Sequence, residues 1–109
     1  MTDAALVVLC TCPDATTARR LADSLIRERL AACANILPGL MSVYEWQGKM
    51  EADSEALLLI KTTPEAYPGL EAALEREHPY ELPEIIAVPI NRGLEGYLQW
   101  VRQLCQPAR

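Results

Sequence analysis

Apolar segments of two different periodicities alternate along the chain. Residues 4–10, AALVVLC, form an uninterrupted apolar run that ends at the sequence TCPD, which is typical of a buried strand. Asp14 is then a candidate N-cap, and apolar residues recur at helical spacing as far as position 30. The apolar positions of this predicted first helix are Ala18, Leu21, Ala22, Leu25, Ile26 and Leu30.

Two extended segments follow the first helix. Residues 33–46, CANILPGLMSVYEW, are predicted to be two extended pieces separated by the Pro-Gly pair at 38–39, which is a turn or bulge signal. The Gln-Gly pair at 47–48 is a candidate tight turn, and the next strand has the apolar run at residues 56–60 as its core. The pattern therefore predicts a long hairpin.

The rest of the chain carries a helix, a strand and a further helix. The second helix follows Pro64 and is expected to end near His78, because a residue before proline is pushed out of the α region. A strand is predicted within residues 84–90, EIIAVPI. A terminal helix is predicted from the apolar positions Leu94, Tyr97, Leu98, Val101 and Cys105.

This order of elements predicts the fold class. The first six elements are those of the ferredoxin-like split βαβ arrangement, and the last is an additional C-terminal helix. The predicted fold is therefore an α/β (α+β) sandwich. A length of 109 residues allows one core, so a single domain spanning residues 1–109 is expected.

The sheet is predicted to be apolar on both faces. In this arrangement two helices cover one face, yet the runs AALVVL, ALLLI and IIAV are apolar at both alternating positions. One terminal helix is too small to cover the whole second face. Since an exposed apolar patch of more than a few hundred Å² marks an interface, we expect a homo-oligomer built on that face.

Charge and composition exclude several classes of protein. The net charge is −5 and no cluster of lysine and arginine occurs, so nucleic acid is not an expected partner. No apolar run approaches the ~18 residues of a membrane-spanning helix, and the N-terminal MTDAALVVLC carries an acidic residue where a signal peptide carries positive charge. We therefore expect a cytoplasmic protein, without a membrane partner, whose thiols are reduced.

Two cysteines and the single histidine are candidate metal ligands. Cys10 and Cys12 lie two residues apart near the end of a strand, so both side chains point the same way, and thiolates with an imidazole suit a soft metal ion. His78 precedes a proline at the end of a helix, and Glu77 could add a carboxylate. The alternative is structural: the cysteines fill the core, and His78 packs at the negative end of the helix dipole.

Other polar and aromatic residues carry weaker signals. The carboxylates Glu51, Asp53, Glu55 and Glu84 could recruit a divalent ion or could simply be solvated. Tyr44, Trp46 and Tyr80 could form a binding surface, although the alternation of Tyr44 and Trp46 with Glu45 along a strand favours packing for these two. No Ser-His-acid pattern and no glycine-rich phosphate loop is present, and no enzymatic activity is expected.

Four sequence blocks resemble the CutA1 divalent-cation tolerance family in order and spacing. They are LAACANILPG (30–39), SVYEWQGKME (42–51), LLLIKTT (57–63) and HPYELPEIIAVPI (78–90), and the resemblance covers nearly the whole chain. It implies a ferredoxin-like fold, a homotrimer similar to the PII signalling proteins, and copper or another divalent cation as ligand.

The resemblance also implies a set of site residues. The family's thiol at the end of the first strand matches Cys10, and the histidine of its HPY block matches His78. Cys33 matches the cysteine of the LAAC block. Some members have a second histidine where this chain has Glu77, and this change affects metal preference because a carboxylate is a harder ligand than an imidazole.

Two functions follow as hypotheses. The first is a trimeric cytoplasmic copper-binding protein that acts in divalent-cation tolerance and the response to metal ions. The alternative is a PII-like signalling or adaptor protein that binds a small molecule, such as an anion, or a partner protein not identified by the sequence, in the clefts between subunits. The candidate cleft residues are Lys61, Tyr80, Glu84 and Trp46, with Arg92 and Lys49 as further cations that could face such a ligand.

Overall fold

The computed structural model describes residues 5–106, so the predicted first-strand residue at position 4 lies outside the described part of the chain. Within these residues the strands and helices follow the predicted order. They are β1 (Leu6–Cys12), α1 (Ala15–Arg27), β2 (Cys33–Trp46), β3 (Lys49–Thr62), α2 (Tyr67–Glu77), β4 (Ile86–Pro89) and α3 (Glu95–Leu104).

The sheet has the strand order β2-β3-β1-β4, and each neighbouring pair is antiparallel. β1 and β4 are adjacent although α1, the hairpin and α2 separate them along the chain. The predicted fold class is confirmed: a mixed α/β structure with a four-stranded antiparallel sheet and a C-terminal helix after the sixth element.

Helix α1 begins as predicted but ends before the apolar periodicity does. Asp14 is the N-cap, and its carboxylate accepts a hydrogen bond from the Thr17 N–H at 2.7 Å. At the other end Arg29 takes a φ of 61°, and the Leu30 N–H donates to the Leu25 carbonyl at 2.9 Å. This is a Schellman closure, in which Leu30 returns to the core beyond the end of the helix.

The long hairpin β2–β3 has both irregularities that its glycines predicted. Gln47 and Gly48 have φ values of 51° and 81°, as a two-residue turn between antiparallel strands requires. Gly39 has a φ of 79° and lies in a bulge, where the strand register shifts between Leu37 and Leu40. The turn at 47–48 and the bulge at 38–39 are therefore confirmed.

The main core lies between the sheet and the two helices α1 and α2. Side chains of β1 and β3 alternate across the sheet, so Val8, Cys10 and Cys12 of β1 face the helices. A second, smaller cluster of buried residues packs under α3. Its members are Ala5, Ala32, Ala66, Leu98, Val101 and Cys105.

The other face of the sheet remains apolar and partly exposed. Directly opposed residues share a face, which groups Leu9 with Leu59 and Ile86 on the side away from α1 and α2. On the same face, Val88 is 50% exposed and Ile86 is 53% exposed. No helix among residues 5–106 is long and apolar enough to cross a membrane.

Candidate metal centre

Three potential metal ligands converge beneath the sheet. Cys10, Cys12 and His78 each offer one donor atom, and these atoms all lie within 4.8 Å of one another. The two cysteines are fully buried and His78 is 7% exposed. The two thiols and the imidazole that the sequence singled out therefore lie together in space.

Local backbone geometry explains how the three side chains meet. The alternation of β1 puts both thiols on the face that α1 and α2 cover. His78 is the C-cap of α2, where Pro79 holds it in an extended conformation with φ −73° and ψ 138°. Its N–H still donates to the Leu74 carbonyl at 2.8 Å, so the imidazole is placed by the helix end.

Both nitrogen atoms of the imidazole have hydrogen-bond partners. Nε2 of His78 lies 2.8 Å from the Thr11 carbonyl oxygen, and the Tyr80 N–H donates to Nδ1 at 3.1 Å. A carbonyl only accepts and an N–H only donates, so these partners assign a neutral ring with its proton on Nε2. In this tautomer the free lone pair of the ring is on Nδ1.

The two thiols differ in their readiness to ionise. The hydrogen bond with Cys12, followed by burial, raises the pKa of Cys10 far above that of a free thiol. The same hydrogen bond from Cys10 is the largest effect on Cys12 and lowers the pKa of Cys12, although burial opposes it. The two thiols therefore titrate as a pair, so that ionisation of one disfavours ionisation of the other.

The chemistry of this donor set is that of a soft or borderline metal ion. Thiolate sulfur and neutral imidazole nitrogen suit copper(I) and zinc, whereas calcium and magnesium require oxygen ligands. The residues present fit such an ion, since Cys10, Cys12 and His78 supply two sulfur atoms and one nitrogen.

Two of the predicted metal ligands lie elsewhere. Glu77 accepts hydrogen bonds from the Ser24 hydroxyl at 3.2 Å and from Arg76 at 3.4 Å, and it is not part of the three-residue cluster. Cys33 begins β2 opposite Lys61, on the face of the sheet away from the cluster. The third member of the cluster is Cys12, which its two-residue spacing from Cys10 had indicated from the sequence.

A cleft of about 750 Å³ opens on the other side of Thr11. Three of the four predicted cleft residues line it, namely Trp46, Tyr80 and Glu84. The fourth, Lys61, instead donates a hydrogen bond to the Asn35 side chain, on the open face of the sheet that points away from α1 and α2.

The cleft is acidic and aromatic. Its carboxylates are Asp53, Glu55, Glu81 and Glu84, and its aromatic rings are those of Tyr44, Trp46 and Tyr80. None of the described residues that line it is lysine or arginine. Tyr44 donates a hydrogen bond to Asp53, and Tyr80 donates one to Glu55. The cleft therefore favours a cationic ligand over an anionic one.

Known proteins match the chain over nearly its full length. The family described as CutA1 divalent ion tolerance protein matches residues 6–104. The divalent-cation tolerance protein CutA of Thermus thermophilus is 52% identical over 97 residues, which cover 89% of this chain and 94% of that protein. Protein CutA of Homo sapiens is 46% identical over 96 residues, or 88% of this chain, which spans only 54% of that longer relative.

Solved structures agree with this match. The crystal structure of CutA1 from Oryza sativa superimposes with a TM-score of 0.91 at 42% sequence identity, covering 95% of this chain and 95% of that one. The similarity thus includes the strand order as well as the sequence blocks.

Proposed function

The chain belongs to the CutA1 divalent ion tolerance protein family, and from this premise we propose that it is a copper-binding protein that acts in divalent-cation tolerance. The proposed ligands are Cys10, Cys12 and His78, and the proposed working form is a cytoplasmic homotrimer. The observation that carries the proposal is the convergence of three buried donor atoms within 4.8 Å. The protein binds its ion and does not convert a substrate.

Thiolate and imidazole donors explain why copper is the proposed ion. These ligands bind copper more tightly than earlier first-row metals. Zinc is the alternative ion that the same donors accept, and it undergoes no redox change. Zinc cannot oxidise the thiols, so a loss of affinity that is seen with both metals reflects a lost ligand and not thiol oxidation.

The test is metal competition against a chelator of known affinity. Copper(I) under anaerobic conditions, and zinc in parallel, are titrated into the wild type and into Cys10→Ser, Cys12→Ser and His78→Ala. We expect one ion per chain for the wild type, and a loss of affinity of roughly 100-fold or more in each variant, since a ligand contributes at least as much as its supporting residues.

Cys105→Ser is the matched control, because Cys105 is also a buried thiol but belongs to the cluster under α3. It should bind metal like the wild type. If Cys10→Ser, Cys12→Ser and His78→Ala bind metal as tightly as the wild type and the control do, the cluster is excluded as the metal site. A circular dichroism spectrum of each variant separates loss of a ligand from loss of the fold.

Metal binding should release protons, and this gives a second test. Ligating thiols must be deprotonated, and the pKa of Cys10 is raised by its hydrogen bond with Cys12 and by burial. Affinity should therefore fall as the pH is lowered. Isothermal titration calorimetry in buffers of different ionisation enthalpy should show at least one proton released per ion in the wild type. Zero protons released would contradict a thiolate site.

The acidic cleft supports a second candidate function, which is small-molecule binding of the PII-like kind. Aromatic rings and carboxylates without a described basic residue favour an organic ammonium ligand, and they disfavour the small anion considered from the sequence. A thermal-shift screen should show stabilisation by alkylammonium compounds and none by nucleotides. Trp46→Leu should abolish the shift, whereas stabilisation by nucleotides alone would contradict this assignment.

A further inference from the structure

The metal-ligand cluster is closed to solvent, and one irregular segment separates it from the cleft. Cys10 and Cys12 have no exposed surface and His78 has 7%. Around them, β1 and the helices are regular structure, whereas residues 78–85 have neither helix nor strand. Movement of a segment without backbone ladder bonds requires the fewest broken contacts, so residues 78–85 are the natural route to the cluster.

Tyr80 holds this segment closed through three contacts. Its N–H donates to Nδ1 of His78 at 3.1 Å, and its ring lies against the imidazole with centroids 4.7 Å apart. Its hydroxyl donates to the carboxylate of Glu55. Tyr80 therefore connects the segment to β3 on one side and to the candidate metal ligand on the other.

Glu55 of β3 is unusual because a carboxylate side chain is rarely buried without a charged partner. It is only 8% exposed, and no lysine or arginine of the described chain forms an ion pair with it. A buried carboxylate that loses its hydrogen-bond donor has a large desolvation cost. The Tyr80 hydroxyl satisfies Glu55, and this favours the closed position of the segment.

The same residue blocks the free lone pair of His78. In the neutral ring assigned by its partners, Nε2 carries the proton and faces the Thr11 carbonyl. Nδ1 then has the single available lone pair, and the Tyr80 N–H occupies it. A metal ion can bind this tautomer only after Tyr80 has withdrawn.

We propose that Tyr80 and Glu55 form a latch that controls access to the Cys10, Cys12 and His78 cluster. When the phenol leaves Glu55, residues 78–85 move outward, the thiols become accessible and Nδ1 is freed. Tyr80 is thus a positioning residue that acts through His78. The role of the latch in metal exchange rests on the proposed function, whereas its control of thiol access does not.

Thiol labelling of the metal-free protein tests the latch directly. N-ethylmaleimide modification of each cysteine is followed by peptide mass spectrometry in the wild type and in Tyr80→Phe, which keeps the ring and the backbone N–H. We expect Cys10 and Cys12 to react roughly tenfold faster or more in Tyr80→Phe, the size expected for losing a hydrogen bond to a charged group. Unchanged rates would overturn the latch.

Two controls distinguish latch opening from general destabilisation. Cys105, which is 5% exposed in the separate cluster under α3, should keep its wild-type rate in Tyr80→Phe. A parallel rise at Cys105 would mean global unfolding and would overturn the proposal. Tyr44→Phe removes the other phenol–carboxylate bond of the cleft, to Asp53, and should leave the Cys10 and Cys12 rates unchanged.

Metal kinetics then test the regulatory role. Stopped-flow zinc binding to Tyr80→Phe should show association and dissociation rates that both rise several-fold, with less change in the equilibrium constant. If the wild type binds zinc at the cluster and the two rates match those of the variant, the latch does not control exchange. If the wild type binds no metal there, the proposed function fails, and the labelling rates still decide the latch.

Discussion

At the scale of single residues, hydrogen-bond partners determine the chemistry of the chain. His78 is assigned neutral by a carbonyl on one side and an N–H on the other, and the side-chain interaction with Cys10 lowers the pKa of Cys12. Asp14 is a surface example, since hydrogen bonds from the first turn of α1, that of the Thr17 N–H first, lower the pKa of its carboxyl group.

The Asp14 cap predicts a pH dependence of stability with a definite sign. Its folded pKa lies below the unfolded value of 3.8, so the stabilisation is present above that value and is lost as the pH falls through the folded pKa. Asp14→Asn keeps an accepting oxygen but no ionisable group. Thermal midpoints of wild type and Asp14→Asn should therefore differ by a constant amount near neutral pH.

The difference in thermal midpoint between wild type and Asp14→Asn should change only in acid, as the Asp14 carboxylate becomes protonated. Asp14→Ala, which removes the accepting oxygen, should lower the midpoint at neutral pH by more than Asp14→Asn does. If the difference in thermal midpoint between wild type and Asp14→Asn stays the same from neutral pH to about pH 2, folding does not shift the pKa of Asp14.

At the scale of elements, backbone conformations that favour glycine lie at the ends and turns. Gly39 and Gly48 take positive φ values where the bulge and the turn need them. Arg29 and Gln47 take positive φ values as well, although each has a Cβ atom. The backbone is strained at these two positions, and the surrounding hydrogen bonds maintain the left-handed conformation.

Arg29 provides a matched pair of substitutions. Arg29→Gly and Arg29→Ala both remove the side chain, but only glycine adopts a φ of 61° without a steric penalty. We expect the glycine variant to be about 1 kcal/mol more stable than the alanine variant. Denaturant unfolding measures the difference, and an alanine variant of equal stability would show that the left-handed conformation is not strained.

At the scale of the whole molecule, the sheet has one face covered by α1 and α2 and an open face that these two helices leave uncovered. Leu9, Leu59 and Ile86 lie on the open face, where Ile86 keeps 53% of its surface exposed. Covering about 400 Å² of such surface contributes roughly 10 kcal/mol before the costs of association. Self-association on this face is therefore the expected state.

A charged residue on the open face should disrupt that assembly. We expect a wild-type mass of three times the 12.1 kDa chain, and a smaller mass for Ile86→Glu, because an unpaired carboxylate in an apolar interface is costly. Ile26→Glu is the control, since Ile26 is 41% exposed but lies on α1. Light scattering after gel filtration measures all three masses, and equal masses would place the interface elsewhere.

Local sequence signals determined most of the fold. Alternating and helical periodicities predicted the order of elements, Asp14 predicted the start of α1, and Gly39 and Gly48 predicted the bulge and the turn, because these features depend on neighbours close in the chain. The early end of α1 at Arg27 was not predicted, because Leu30 continues the helical spacing while occupying the core from outside the helix.

The tertiary structure alone decided the membership of the candidate site. Glu77 is adjacent to His78 in sequence, yet it bonds to Ser24, because successive residues at a helix end point in different directions. Cys10 and Cys12 are 66 to 68 residues from His78, and only the packing of α2 on β1 brings their donor atoms within 4.8 Å. The bond between Tyr80 and Glu55 likewise depends on that packing, so sequence spacing carries no signal for it.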